Sequence, residues 1–152
     1  RTAFFATLLL DIGKGVLAVW LADYFTGGNV AWMALAAAAV VFGHAFSIWL
    51  KFTGGKSVAS FIGAFLYLTP YPLLACAAVL LALLALTRYM SLASIIAVGS
   101  LPLACWLIAQ SPWPVLGAAA ACAVLIVSRH KANIQRLRAG TENVFSLSRK
   151  KR

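Results

Sequence analysis

The chain has 152 residues, of which 63% are hydrophobic and only 11% charged, and its mean hydropathy is +0.93. That balance excludes a water-soluble domain, whose surface at this length would have to be largely apolar. Thirteen Lys and Arg against three acids give a net charge of +10, but the basic residues lie between apolar runs. They therefore read as membrane topology and attraction to anionic lipid or substrate, and no nucleic-acid partner is expected.

The expected class is an all-α integral membrane protein: one polytopic domain over residues 1–152, with a basic C-terminal segment at 128–152. The alternation of a β-barrel strand is absent. Arg1 leads into an apolar run with no small-residue cleavage site, so no cleavable leader is expected. Cys76, Cys105 and Cys122 sit singly inside apolar runs, without ligand spacing or disulfide logic, and read as small core residues.

In chain order, the first apolar run extends from Ala3 to about Tyr24 and contains Asp11 and Lys14 on one helical face. Ionisable groups at membrane depth are costly and face a protein interior; this pair is read as mutually satisfied and locking the helix to its neighbours, with a catalytic role as the alternative. Asp23 to Asn29 is a polar turn, and the second run is Val30 to about Phe42. The third runs from near Val58 to Thr69, with a tight reversal expected at Pro70-Tyr71-Pro72. The fourth is Leu73 to Leu86, the fifth Ser91 to about Ala109, and the sixth Val115 to Val127. Several are shorter than the roughly 20 residues of a straight span.

Lys and Arg occur before the first run (Arg1), between the second and third (Lys51, Lys56), between the fourth and fifth (Arg88), and after the sixth from Arg129 on. The other three connections carry none. This alternation fits six spans with both ends in the cytoplasm, and it puts three polar segments on one face.

The segment GHAFSIWLKFTGGKSVAS, residues 43–60, lies between two of these runs. A glycine pair followed by lysine at the mouth of a helix suits an anion, because amides turn to it freely and the lysine adds a point charge. The same residues also fit a plain turn flanked by topology lysines. It is not a P-loop, since Leu50 stands where that motif needs glycine. In the tail, RHKANIQRLRAGTE at 129–142 places His130, Asn133 and Leu137 at helical spacing, suiting a short amphipathic helix closed by Gly140. A basic anchor has no need of His130 and Asn133 one turn apart.

Taken together, GHAF at 43–46, FTGGKSVAS at 52–60, RYMSLAS at 88–94 and RHKANIQRLRAGTE at 129–142 resemble the bacterial membrane glycerol-3-phosphate acyltransferases of the PlsY type, and LLLDIGKG at 8–15 is similar to that family's second helix. The resemblance implies transfer of an acyl group from acyl-phosphate to the 1-hydroxyl of glycerol 3-phosphate, giving lysophosphatidic acid and phosphate, with no cofactor and no metal. It implies a monomer in the bacterial inner membrane with its active site on the cytoplasmic face. By resemblance, Lys56, His130 and Asn133 are catalytic, His44, Gly54, Gly55, Lys56 and Ser91 contact substrate, and Glu142 is structural. Arg88 and Ser57 are added as substrate contacts, Ser57 by adding a hydroxyl donor or tightening the loop, and the Asp11–Lys14 pair is read as structural. The histidine-x4-aspartate signature of other acyltransferases is missing, since Trp49 follows His44 at that distance and Gln135 follows His130.

Three features depart from the family pattern. Ser57 stands where the family usually has glycine, and Ser47 where it usually has proline. Family members have seven spans, the first leading into an SGN-x-GATN loop whose serine, asparagine and following arginine are essential; the sequence here starts beyond that loop. The alternative from another class is a small transporter of a phosphorylated solute, for which the Asp11–Lys14 pair would serve.

Overall fold

The computed structural model describes residues 2–47 and 54–145. Arg1, Lys51 and the Arg149–Arg152 run lie outside the described residues. The elements are α1 (Thr2–Thr26), α2 (Val30–Ala45), α3 (Val58–Leu68), α4 (Pro70–Thr87), α5 (Met90–Ala109), α6 (Trp113–Arg129) and α7 (Lys131–Arg138). The six apolar runs thus become six apolar helices. By length and apolarity α1, α4 and α5 suffice to cross a bilayer, while α2 and α3 are shorter, at 16 and 11 residues. The helices α6 and α7 meet at a 58° bend, where the apolar pattern gives way to the basic one.

The boundaries follow local chemistry. Asn29 caps α2, its Oδ1 accepting from the amides of Ala31 (3.0 Å) and Trp32 (3.4 Å). Pro70 and Pro72 do not form a loop of their own, as the sequence suggested. They lie in the first turn of α4, where a missing amide hydrogen costs nothing, and the chain reverses at Thr69 alone. Gly140, at φ +68°, closes α7, its amide donating to the Leu137 carbonyl (3.2 Å) while Thr141 donates to Arg136 (2.9 Å).

The packing is that of a protein whose solvent is lipid. Small residues fill the interior: Ala37, Ala45, Ala64, Ala93 and Ala119 are fully buried, while Leu9, Leu10, Leu81 and Leu86 face outward. Lipid is as apolar as leucine, so close backbone approach matters more than burying large side chains. The α1–α3 pair shows this best. A Cβ on Gly63 would strike the Ile12 carbonyl, its carbon 2.8 Å away, and a Cβ on Gly15 would lie 2.7 Å from the Ala64 amide nitrogen. At one end of this pair, Tyr67 donates to Asp23 Oδ2 (2.6 Å). Around that end Tyr24, Phe25, Trp32, Tyr71, Trp106 and Trp113 are all exposed, as in an aromatic belt at an interface. The candidate site residues lie at the other end.

Candidate active site

A cavity of about 750 Å³ opens at that end between α1, α3, α5, α7 and the tail. Lys56, Ser57, Ser91, His130, Asn133 and Glu142 line it, together with Asp11 and His44. Residues far apart in sequence thus meet in one place, as the charge alternation requires.

The floor is built on α1 and α2. Lys14 Nζ lies 2.6 Å from Asp11 Oδ1 and 2.6 Å from His44 Nδ1. The ammonium donates to both, which fixes His44 Nδ1 as the acceptor. Asp11 and Lys14 are therefore bound to each other and to His44. The other edge of the His44 ring faces the glycine loop: a Cβ on Gly55 would lie 2.8 Å from His44 Nε2. One on Gly54 would strike the His44 carbonyl and lie 2.7 Å from that of Ala45. Gly54 is demanded by close approach to the backbone at the C-terminus of α2, while a Cβ on Gly55 would push against the His44 ring. Both glycines line an adjoining cavity with Lys56, Arg129 and Lys131.

Arg129 was not singled out from the sequence, yet it holds this loop in place. Its Nη2 donates to the Ala45 carbonyl and, at 3.0 Å, to that of Gly54, with the guanidinium 5.3 Å from the centre of the Phe46 ring. Its signal in the sequence was its place beside His130, at the point where the apolar run ends.

The wall is organised by Glu142. Its Oε1 accepts from Ser91 Oγ (2.8 Å) and Asn133 Nδ2 (2.6 Å), and its Oε2 from Arg136 Nε (2.8 Å). The side chain is 6% exposed. The Asn133 bond first, then those of Ser91 and Arg136, hold its pKa down at about 2, so it is a fixed anion that clamps α5, α7 and the tail. His130 is 2% exposed. Its Nδ1 donates to the Ile126 carbonyl (2.8 Å), which leaves Nε2 as the nitrogen for other work. Burial pushes its pKa below 6.5, so the ring is neutral at pH 7. Lys56 is likewise pushed below 10.5, mainly by loss of water, with Glu142 pulling the other way. Arg88 lies outside the lining: it caps α4 at φ 60°, and its carbonyl accepts from the Phe145 amide (2.7 Å).

The family model for glycerol-3-phosphate acyltransferase matches residues 1–140. The chain belongs to that family. Among its glycerol-3-phosphate acyltransferase relatives, that of Geobacter sulfurreducens is 40% identical over 145 residues, 95% of this chain and 74% of the relative. That of Caulobacter vibrioides is 47% identical over 138 residues, 90% of this chain but 62% of the relative. The crystal structure of PlsY (YgiH), an integral membrane glycerol 3-phosphate acyltransferase in its glycerol 3-phosphate form, superposes with a TM-score of 0.86 at 33% identity, over 93% of this chain and 70% of that one. Its lysophosphatidic acid form gives the same score. The chain is thus an acyltransferase-family membrane protein that spans 62% of the Caulobacter vibrioides relative and 74% of the Geobacter sulfurreducens one.

Proposed function

We propose that this protein transfers an acyl group from acyl-phosphate to the 1-hydroxyl of glycerol 3-phosphate, giving lysophosphatidic acid and phosphate for phospholipid synthesis. The observation that carries the reading is that Lys56 and His130 line the same cavity. Both substrates are anionic, and Lys56 with the amides opening α3 offers positive charge to a phosphoryl group. An acyl-phosphate is already activated, because phosphate is a good leaving group. The site therefore has to position and neutralise, and needs no covalent nucleophile.

In the proposed step the glycerol 1-hydroxyl oxygen attacks the acyl carbonyl carbon. The carbon–oxygen bond to phosphate breaks, and phosphate leaves with the electron pair and takes the hydroxyl proton. His130 Nε2 accepts a hydrogen bond from the attacking hydroxyl, and Asn133, aimed by Glu142, orients it further. Lys56 neutralises phosphate. His44 holds the glycine loop from beneath, and Ser91 joins the wall through Glu142. The acyl chain lies between helices, reached sideways from the bilayer. The alternation of basic connections supports a site at the cytoplasmic leaflet of the bacterial inner membrane, in an enzyme proposed to act as a monomer.

The test is a membrane assay with acyl-phosphate and labelled glycerol 3-phosphate. Lysophosphatidate is expected from the wild type, and Lys56→Ala lowers kcat/KM by about 100-fold or more, the scale of losing one charge aimed at the reacting group. Normal turnover together with normal glycerol 3-phosphate affinity in Lys56→Ala would overturn the assignment.

A further inference from the structure

The chain has two histidines, His44 and His130, and both line the cavity. A neutral imidazole carries its proton on one ring nitrogen, so the group that meets Nδ1 decides what Nε2 can do. His130 Nδ1 donates to the Ile126 carbonyl (2.8 Å), which makes its Nε2 an acceptor. His44 Nδ1 meets the Lys14 ammonium at 2.6 Å. An ammonium has only donors, so here Nδ1 holds the lone pair and Nε2 carries the hydrogen. That Nε2 lies on the edge of the ring that faces the glycine loop, next to Gly55. The two rings therefore have opposite polarity.

Asp11 by itself would set His44 the other way. Its Oδ1 is 3.4 Å from the same Nδ1. A carboxylate can only accept, so it would draw the proton to Nδ1 and leave a lone pair on Nε2. A carboxylate on Nδ1 is the arrangement that makes a histidine a base. Lys14 overrides it, taking Asp11 Oδ1 and His44 Nδ1 at 2.6 Å each. Lys14 lines a separate cavity between α1 and α2, with Val40, Gly43 and Ser47, so its effect on the main cavity passes through His44.

We infer that Lys14 is a positioning residue that sets the tautomer of His44, so that the ring presents an N–H and not a lone pair toward the glycine loop. His44 then works as a hydrogen-bond donor and His130 as the imidazole acceptor. A lone pair on that edge would repel the anions that the loop and Lys56 are placed to meet. This deepens the acyl-transfer reading and rests on it for the identity of those anions.

The test is nitrogen NMR of the protein in lipid nanodiscs at neutral pH, with isotope-labelled histidine. Protonated and unprotonated ring nitrogens resonate far apart, and His130→Gln assigns the two rings. The wild type is expected to show His44 unprotonated at Nδ1 and protonated at Nε2, with His130 the reverse. Lys14→Met is expected to move the His44 proton to Nδ1, while unchanged His130 signals report an intact fold. Lys14→Arg, also a pure donor, is expected to keep the wild-type pattern. Asp11→Asn breaks the same ion pair and is expected to keep it too, which a merely structural pair would not distinguish from Lys14→Met. In parallel, kcat/KM for lysophosphatidate formation is expected to fall about 10- to 100-fold in Lys14→Met, the scale of losing a hydrogen bond to a charged group, and to recover in Lys14→Arg. A wild-type His44 protonated at Nδ1 overturns the inference even if Lys14→Met fails to fold. So does a Lys14→Met enzyme within threefold of the wild type. Failure of the acyl-transfer reading would appear separately, as the expected tautomers in a wild type that forms no lysophosphatidate.

Discussion

Replacement of Arg129 tests whether the glycine loop is held from outside. Arg129→Ala removes the donor to the Ala45 and Gly54 carbonyls and the contact with the Phe46 ring. A hydrogen bond from a charged donor contributes about 1.5–3 kcal/mol where water is excluded, and the ring contact about 0.5–1 kcal/mol. Arg129 is only half-buried, so water competes, and about 2–3 kcal/mol of loop anchoring is a reasonable net figure. At about 1.4 kcal/mol per tenfold, that is about 30- to 150-fold in the population of the anchored loop. Lys56 is presented by that loop, so kcat/KM falls by up to the same factor. Arg129→Lys recovers only part, because an ammonium is a point charge without the planar fork. The assay is lysophosphatidate formation at limiting glycerol 3-phosphate, paired with hydrogen exchange of the amides at 54–57. An Arg129→Ala enzyme within threefold of wild type would refute the reasoning. So would a large loss with unchanged exchange at 54–57, since the loss would then not pass through the loop.

The remaining outcomes concern pH and packing. His130 has its pKa lowered in the folded protein, so between that value and 6.5 the unfolded chain binds more protons; stability and activity are complete above 6.5 and fall as pH drops through the lowered pKa. Lys56, lowered from 10.5, loses its charge earlier than a free lysine, so the alkaline limb of kcat/KM starts below 10.5. An acid limb unchanged in His130→Gln, or an alkaline limb at or above 10.5, would contradict this. The lowered Glu142 pKa of about 2 predicts that the clamp on Ser91 and Asn133 contributes no limb of its own above about pH 4. Gly63→Ala forces a methyl against the Ile12 backbone and is expected to cost about 1–3 kcal/mol, seen as a lower melting temperature in nanodiscs. Gly99→Ala, whose Cβ meets nothing within 4 Å, is expected to be neutral or slightly stabilising. Equal melting temperatures for the two would refute the close-approach account of the α1–α3 contact.

The sequence alone determined the class, the six apolar helices and the candidate site residues. Hydropathy and basic residues are local properties that each segment shows by itself, and the alternation of charge already sent Lys56, Ser91 and His130 to one end. Only the tertiary structure decided how they are held. Arg129 bridges Ala45 and Gly54, Glu142 binds Ser91 across 51 positions, and Lys14 joins Asp11 to His44 from the next helix. It also moved Pro70 and Pro72 into α4, left Arg88 outside the cavity lining, and gave the glycine pair its reason in the nearness of His44. Such contacts depend on the rotation and depth at which helices meet. In lipid those are set by small residues letting backbones approach, and this pairwise geometry leaves no periodic mark in either helix.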